Sequence, residues 1–419
     1  MKHAEVSSEK EKSFIFACLR AFVNKDTSSQ QAALEAFLPN LDWKSIVGIA
    51  EIHRILPFLA LVLQRTKALR KLSADVQEQM RENLQSAALE NLVKTAEFQK
   101  INRFFERQGI PVIPLKGIAL THLIYQEDGV RRMRDIDILV RETDLEKTKE
   151  LLREQEFKLR EGQNRWQMEL WNPILGRSNY VKEDLDIDVQ WSPRFLVNGQ
   201  WVEWDYTKAW RNASPCSFFG TNVYMLSPLD QAQYLLLQIA NDSEVGTLLL
   251  IQLLDLALVM KRYPMRADSI LSCGLTSVSP HSREKLVDLL QAIQERFLEQ
   301  KVLEECSLKT RKLLESIFER DPSLRCLLSG SFLLKSLRSP FDKFLFLSGY
   351  FFPSKSYLQV KQGVTAINPV RDLQRISNGV KLFSRHLEHW GRLILKALKI
   401  PAFFLVRKWT LLSQGQREE

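Results

Sequence analysis

From Trp43 to Thr66 the chain reads WKSIVGIAEIHRILPFLALVLQRT, with apolar residues at Ile46, Ile49, Ile52, Leu56, Leu59 and Leu63. That is helical spacing, and Pro57 predicts a kink or break inside it. His53 falls in this stretch, where a lone histidine is a packed or capping residue more often than a ligand. The next run, ADVQEQMRENLQSAALENLVKTAEFQKINRFFERQG, is a long amphipathic helix ending at Gly109.

The texture then changes. GIPVIPLKGIALTHLIY opens on β-branched residues, passes Pro114 and Gly117, and turns helical from about Ile118, which predicts strand, turn, helix. RRMRDIDILV is a second strand. RETDLEKTKELLREQEF is a helix, with Thr143 and Glu146 spaced for a capping box. SNYVKEDLDIDVQW predicts a hairpin. Helical periodicity returns from SPLDQAQYLLLQIAND through GTLLLIQLLDLALVMKR and SREKLVDLLQAIQERFLEQKVLEE.

Composition changes this picture little. The chain has 419 residues, 45% hydrophobic and 26% charged, room for two or three domains. Charge changes it more. The net charge is +9, and the segment from Ser354 to Glu419 holds twelve Lys/Arg against four Asp/Glu, a net of +8. Such a tail suits an anionic membrane surface, an acidic partner or nucleic acid; a solvated basic helix face is the plain alternative. Its few aromatics make nucleic acid the less favoured partner. The five cysteines form no CxxC pair, and the start lacks a signal-peptide pattern. These features predict a cytoplasmic protein with reduced thiols, able to touch a membrane through its tail. No HExxH or GxSxG occurs, so zinc-protease and serine-hydrolase chemistry has no support.

The candidate chemistry lies in DIDILV. On a strand, Asp135 and Asp137 would share one face, with Ile136, Ile138 and Val140 on the other. Adjacent carboxylates repel unless a cation sits between them, and oxygen-only ligands favour Mg²⁺. In LDIDVQW, Asp186, Asp188 and Gln190 share a face, so a third carboxylate could meet the first two at one sheet edge. That arrangement suits two-metal phosphoryl transfer. Upstream, Lys116 and Gly117 stand where a strand becomes a helix. Free N–H groups and a positive dipole end there can receive a phosphate.

This order of motifs resembles the nucleotidyltransferase superfamily that includes DNA polymerase β. In particular it resembles a bacterial family of uncharacterised nucleotidyltransferases, through PLKGIALTHLIY, Arg131, DIDILV and DVQW. AEIHRILPFLALVL and FFPSKSYL are similar to further segments of that family. The resemblance implies an α+β fold: a small mixed-sheet nucleotidyltransferase core (residues 101–215) between an N-terminal helical region (1–100) and a C-terminal helical domain (216–352), with a basic amphipathic tail (353–419). It implies that Asp135 and Asp137 bind Mg²⁺ or Mn²⁺. Asp188 would bind metal and help activate an attacking hydroxyl. Lys116 and Gly117, with Arg131 as a weaker candidate, would hold the phosphates of an NTP, ATP first among them. An NMP would then pass to an unidentified hydroxyl acceptor, a small molecule or protein before an RNA. A catalytically inactive nucleotide- or partner-binding relative and an RNA-modifying enzyme or toxin are the alternatives. Gln190 stands where the family often has His, and Arg134, beside the carboxylates, could pair with Asp135 or bind phosphate. Asp242 and Asp255, on the helices expected to wall the cleft, are either acceptor contacts or buried carboxylates with structural partners.

Overall fold

The computed structural model describes residues 9–298, except 26–30, 32–33, 36–37, 39–40, 126–128, 160–174 and 273–277, and beyond 298 only residues 312, 317 and 318. The basic tail and FFPSKSYL lie outside the described residues. By their contacts the described residues belong to one compact unit.

The first helices are α1 (Glu9–Asn24), α2 (Trp43–Ile52), α3 (Leu56–Arg65) and α4 (Ala74–Arg107). The break expected at Pro57 falls between α2 and α3, with Pro57 in the first turn of α3, where its missing N–H costs nothing. His53 caps α2, is buried, and accepts from the Leu250 N–H at 3.4 Å. The long helix α4 stops one residue before Gln108, and Gly109 takes the left-handed conformation (φ 70°) that ends it.

A five-stranded mixed sheet follows: β1 (Ile113–Leu115), β2 (Ile136–Leu139), β3 (Lys158–Leu159), β4 (Arg177–Lys182) and β5 (Leu185–Gln190), in the order β1-β2-β5-β4-β3. Strands β2 and β5 run parallel at its centre, and the other pairs are antiparallel. Between β1 and β2 lies α5 (Lys116–Leu123), and between β2 and β3 lies α6 (Leu145–Glu154). The predicted hairpin is β4–β5, turning at Glu183 and Asp184 with Glu183 at φ 52°.

Two expectations are corrected. The capping box at Thr143 and Glu146 does not form. A turn of 3-10 helix over Glu142–Asp144 leads into α6, whose cap, Asp144, makes no side-chain capping bond. The second strand is also shorter than RRMRDIDILV suggests. Asn91 on α4 donates to the Arg131 carbonyl at 2.9 Å and accepts from the Met133 N–H at 3.0 Å. Arg132 pairs with Glu90 on the same helix. These bonds dock residues 131–133 on α4 in place of a neighbouring strand.

Beyond the sheet come the hairpins β6 (Arg194–Val197)–β7 (Gln200–Glu203) and β8 (Ser214–Phe218)–β9 (Thr221–Met225), with α7 (Tyr206–Asn212) between them. Helices α8 (Pro228–Glu244), α9 (Leu250–Arg262), α10 (Ala267–Ser272) and α11 (Pro280–Ile293) complete the described part. One apolar core joins the early and late helices: Phe14, Phe58 and Leu59 share it with Leu236, Leu254 and Leu290. A second core lies under the sheet, where Ile136, Ile138, Ile187 and Val189 meet Phe98 and Phe105 of α4 and Leu152 of α6. Strand alternation turns the intervening residues, Asp137, Asp188 and Gln190, to the sheet's opposite face. Among the described residues, no helix is long and apolar enough to cross a membrane.

Candidate active site

Register brings the carboxylates together. Asp137 on β2 and Asp188 on β5 are direct partners across the parallel pair, and Leu115, the last residue of β1, lies opposite Asp137. Lys116 follows at once. Its backbone is left-handed (φ 46°), a strained conformation for a lysine, and its ammonium lies 2.5 Å from Asp137 Oδ1. Gln190 donates through Nε2 to Asp137 Oδ1 at 3.2 Å and to Asp188 Oδ2 at 3.0 Å. Tyr234 of α8 donates to Gln190 Oε1 at 2.9 Å. Asp137, Asp188, Gln190 and Tyr234 are all buried.

Burial dominates the electrostatics. It pushes the Asp137 carboxyl up to about 8, against the opposing pull of the Lys116 ammonium. Burial also works against the charge on Lys116, but Asp137 and the neighbouring acidic groups outweigh it and hold Lys116 protonated. The buried Tyr234 phenol is raised and stays a hydrogen-bond donor.

Asp188 Oδ1 is buried and has no hydrogen-bond partner among the described residues. An orphaned carboxylate oxygen beside a second carboxylate is an all-oxygen donor pair and fits a hard divalent cation. Asp135 stands just before β2 rather than on it, within electrostatic reach of Asp137 and Lys116. Among the described residues, no three acidic, histidine or cysteine side chains are already gathered as an ion site. What is assembled is the Asp137–Asp188 pair, with Lys116 seated on it.

Gly117 and Arg131 form one unit. A Cβ on Gly117 would lie 2.6 Å from Arg131 Nη1, so only glycine admits the guanidinium. Arg131 Nε and Nη2 bond Asp255 at 2.9 and 2.6 Å, and Tyr125 donates to the same carboxylate at 2.6 Å. Asp255 is therefore a buried structural carboxylate, and Arg131 is chiefly a strut between the turn and α9. Its Nη1 lies over Gly117. Asp242 is likewise engaged, by Gln238 at 2.9 Å and Gln252 at 2.6 Å. Arg134 is exposed.

Other cations near the site carry no motif in the sequence. Arg54, left-handed at φ 57°, and Lys94 of α4 both feel the charge of Asp135. Burial disfavours the charge on Arg177, but Asp188 and Asp242 hold it charged. Tyr234 was equally hidden, one tyrosine in an apolar helix.

The fold is thus α+β, with a register-matched carboxylate pair beside a strand–lysine–glycine–helix turn. The family model of uncharacterised nucleotidyltransferases matches residues 39–273, more than half of the chain, and the chain belongs to that family. No curated protein and no solved structure matches it.

Proposed function

We propose that the protein is a divalent-metal-dependent enzyme that transfers NMP from an NTP, ATP first among them, to a hydroxyl acceptor. One observation supports this most: Asp137 and Asp188 are paired in register and buried, and Asp188 Oδ1 is left without a partner among the described residues. Asp137 and Asp188, joined by Asp135, would hold Mg²⁺ or Mn²⁺. Bound there, the ion supplies charge stabilisation for the phosphoryl oxygens.

The chain's own residues do the rest. The start of α5, with Lys116 and the uncluttered Gly117 backbone, receives the phosphates. Arg54, Lys94 and Arg177 add positive potential around them. Asp188 takes the proton of the acceptor hydroxyl. The acceptor oxygen bonds to the α-phosphorus as the bond to the bridging oxygen breaks, and pyrophosphate leaves. A small molecule or a protein is the favoured acceptor. The basic tail would serve a peripheral membrane or acidic-partner contact.

The ion pair of Lys116 with Asp137 favours one second reading, a silent nucleotide-binding relative in which the lysine replaces the metal. Purified protein and Asp137→Ala, each given Mg²⁺, cell extract and the four α-labelled NTPs in turn, separate the two. Label transferred by wild type alone supports the enzyme. Metal-independent NTP binding by both proteins, without transfer, supports the silent relative.

A further inference from the structure

We infer that Gln190, oriented by Tyr234, is the positioning residue that sets the two carboxylates for metal. The inference rests on the metal-dependent reading above. A glutamine amide has two unlike ends, and packing alone does not say which faces where. Here the network decides. The carboxylates accept, so the NH₂ end must face them, and Oε1 must then face a donor. Tyr234 is that donor, at 2.9 Å.

The tyrosine cannot readily turn away. It is fully buried, its ring 5.2 Å from Trp204 and 5.6 Å from Phe195. Gln190 is fixed in turn by its place on β5, two residues from Asp188 and directly opposite Leu139 of β2. Its amide therefore reaches both central strands from one side.

Which oxygens it takes matters. One amide nitrogen engages Oδ1 of Asp137 and Oδ2 of Asp188. Among the described residues the hydrogen bonds to Asp137 all go to Oδ1, and Asp188 Oδ1 has none. One oxygen on each carboxylate is thus tied down and the other left free. Without this bridge Asp188 would lose its hydrogen bond to Gln190 and the orientation that bond sets. A glutamine with two N–H hydrogens on one atom can serve both at once; an imidazole nitrogen offers only one.

Mn²⁺ binding to the full chain, followed by loss of the free-ion EPR signal, tests this without any need for turnover. Circular dichroism and melting monitor the fold of each variant. Outer-shell partners of this kind typically carry about 10–100-fold in metal affinity. Gln190→Leu is expected to weaken Mn²⁺ binding by that factor. Tyr234→Phe should weaken it less, and Gln190→His should recover part of the loss. Should Gln190→Leu fail to fold, Tyr234→Phe and Gln190→His carry the test. Gln190→Leu or Tyr234→Phe binding Mn²⁺ as tightly as wild type, while Asp137→Ala does not bind, overturns the positioning role and leaves the metal reading standing. Wild type that binds no Mn²⁺ overturns both.

Discussion

Two sets of buried charges lie side by side in this molecule, and they are built on opposite terms. Arg131, Asp255 and Tyr125 close a complete set: a two-pronged guanidinium–carboxylate pair with a phenol on one of its oxygens. A few residues away, Lys116, Asp137 and Asp188 form an incomplete one, with a strained lysine backbone, an orphaned carboxylate oxygen and a carboxyl that burial pushes up to about 8. Satisfied buried charges hold a fold in one arrangement. Unsatisfied ones are tolerated where a ligand is to complete them. Gly117 lies where the two sets meet, so the rigid set braces the turn of the poised one.

The largest break in this contrast should come from the complete set. Asp255→Ala leaves the Arg131 guanidinium buried and alone, and should cost about 3–5 kcal/mol in urea unfolding. A loss under about 1 kcal/mol would show that the pair does not brace the turn. Next comes Gly117→Ala, whose methyl would press on Arg131 Nη1 and push the strut aside. Overpacking of this kind costs about 1–3 kcal/mol, and NTP binding should weaken with it.

A smaller effect isolates the strain at Lys116. Both Lys116→Gly and Lys116→Ala remove the ammonium, but only glycine relaxes the left-handed backbone. The glycine variant should be more stable than the alanine variant by about 1 kcal/mol. Equal melting curves would mean that φ at 116 stores nothing.

The pH dependence of Asp137 sharpens the contrast from the side of charge. Its carboxyl rises from 3.8 unfolded to about 8 folded, so the folded chain keeps a proton that the unfolded chain has lost. The stabilising contribution of that proton is fully present below the unfolded value and is lost as pH rises through about 8. Asp137→Asn should flatten this part of a melting-versus-pH curve. Mn²⁺ needs the ionised carboxylate, so its affinity should climb over the same range.

The same contrast explains what was legible beforehand. Helices α2 to α4, the break at Pro57 and the β4–β5 hairpin follow from local periodicity and turn chemistry, and the sequence shows them directly. Asp137 and Asp188 stand out because alternation on a strand separates them from their apolar neighbours. Long-range partners leave no such trace. Asp255 lies 124 residues from Arg131, and nothing in DLALVM marks it as the anchor of the turn. The docking of residues 131–133 on Asn91 shortened a strand that local pattern had extended. Tyr234 became part of the site only when α8 brought its hydroxyl to Gln190.

The most direct measurement pairs stability with chemistry in Asp188→Asn, which keeps the shape and removes the charge facing Asp137. The account predicts that this variant melts at or above the wild-type temperature while Mg²⁺-dependent transfer of α-labelled NMP is lost. A variant that melts several degrees lower yet still transfers label would contradict it, because Asp188 would then serve the fold and not the reaction.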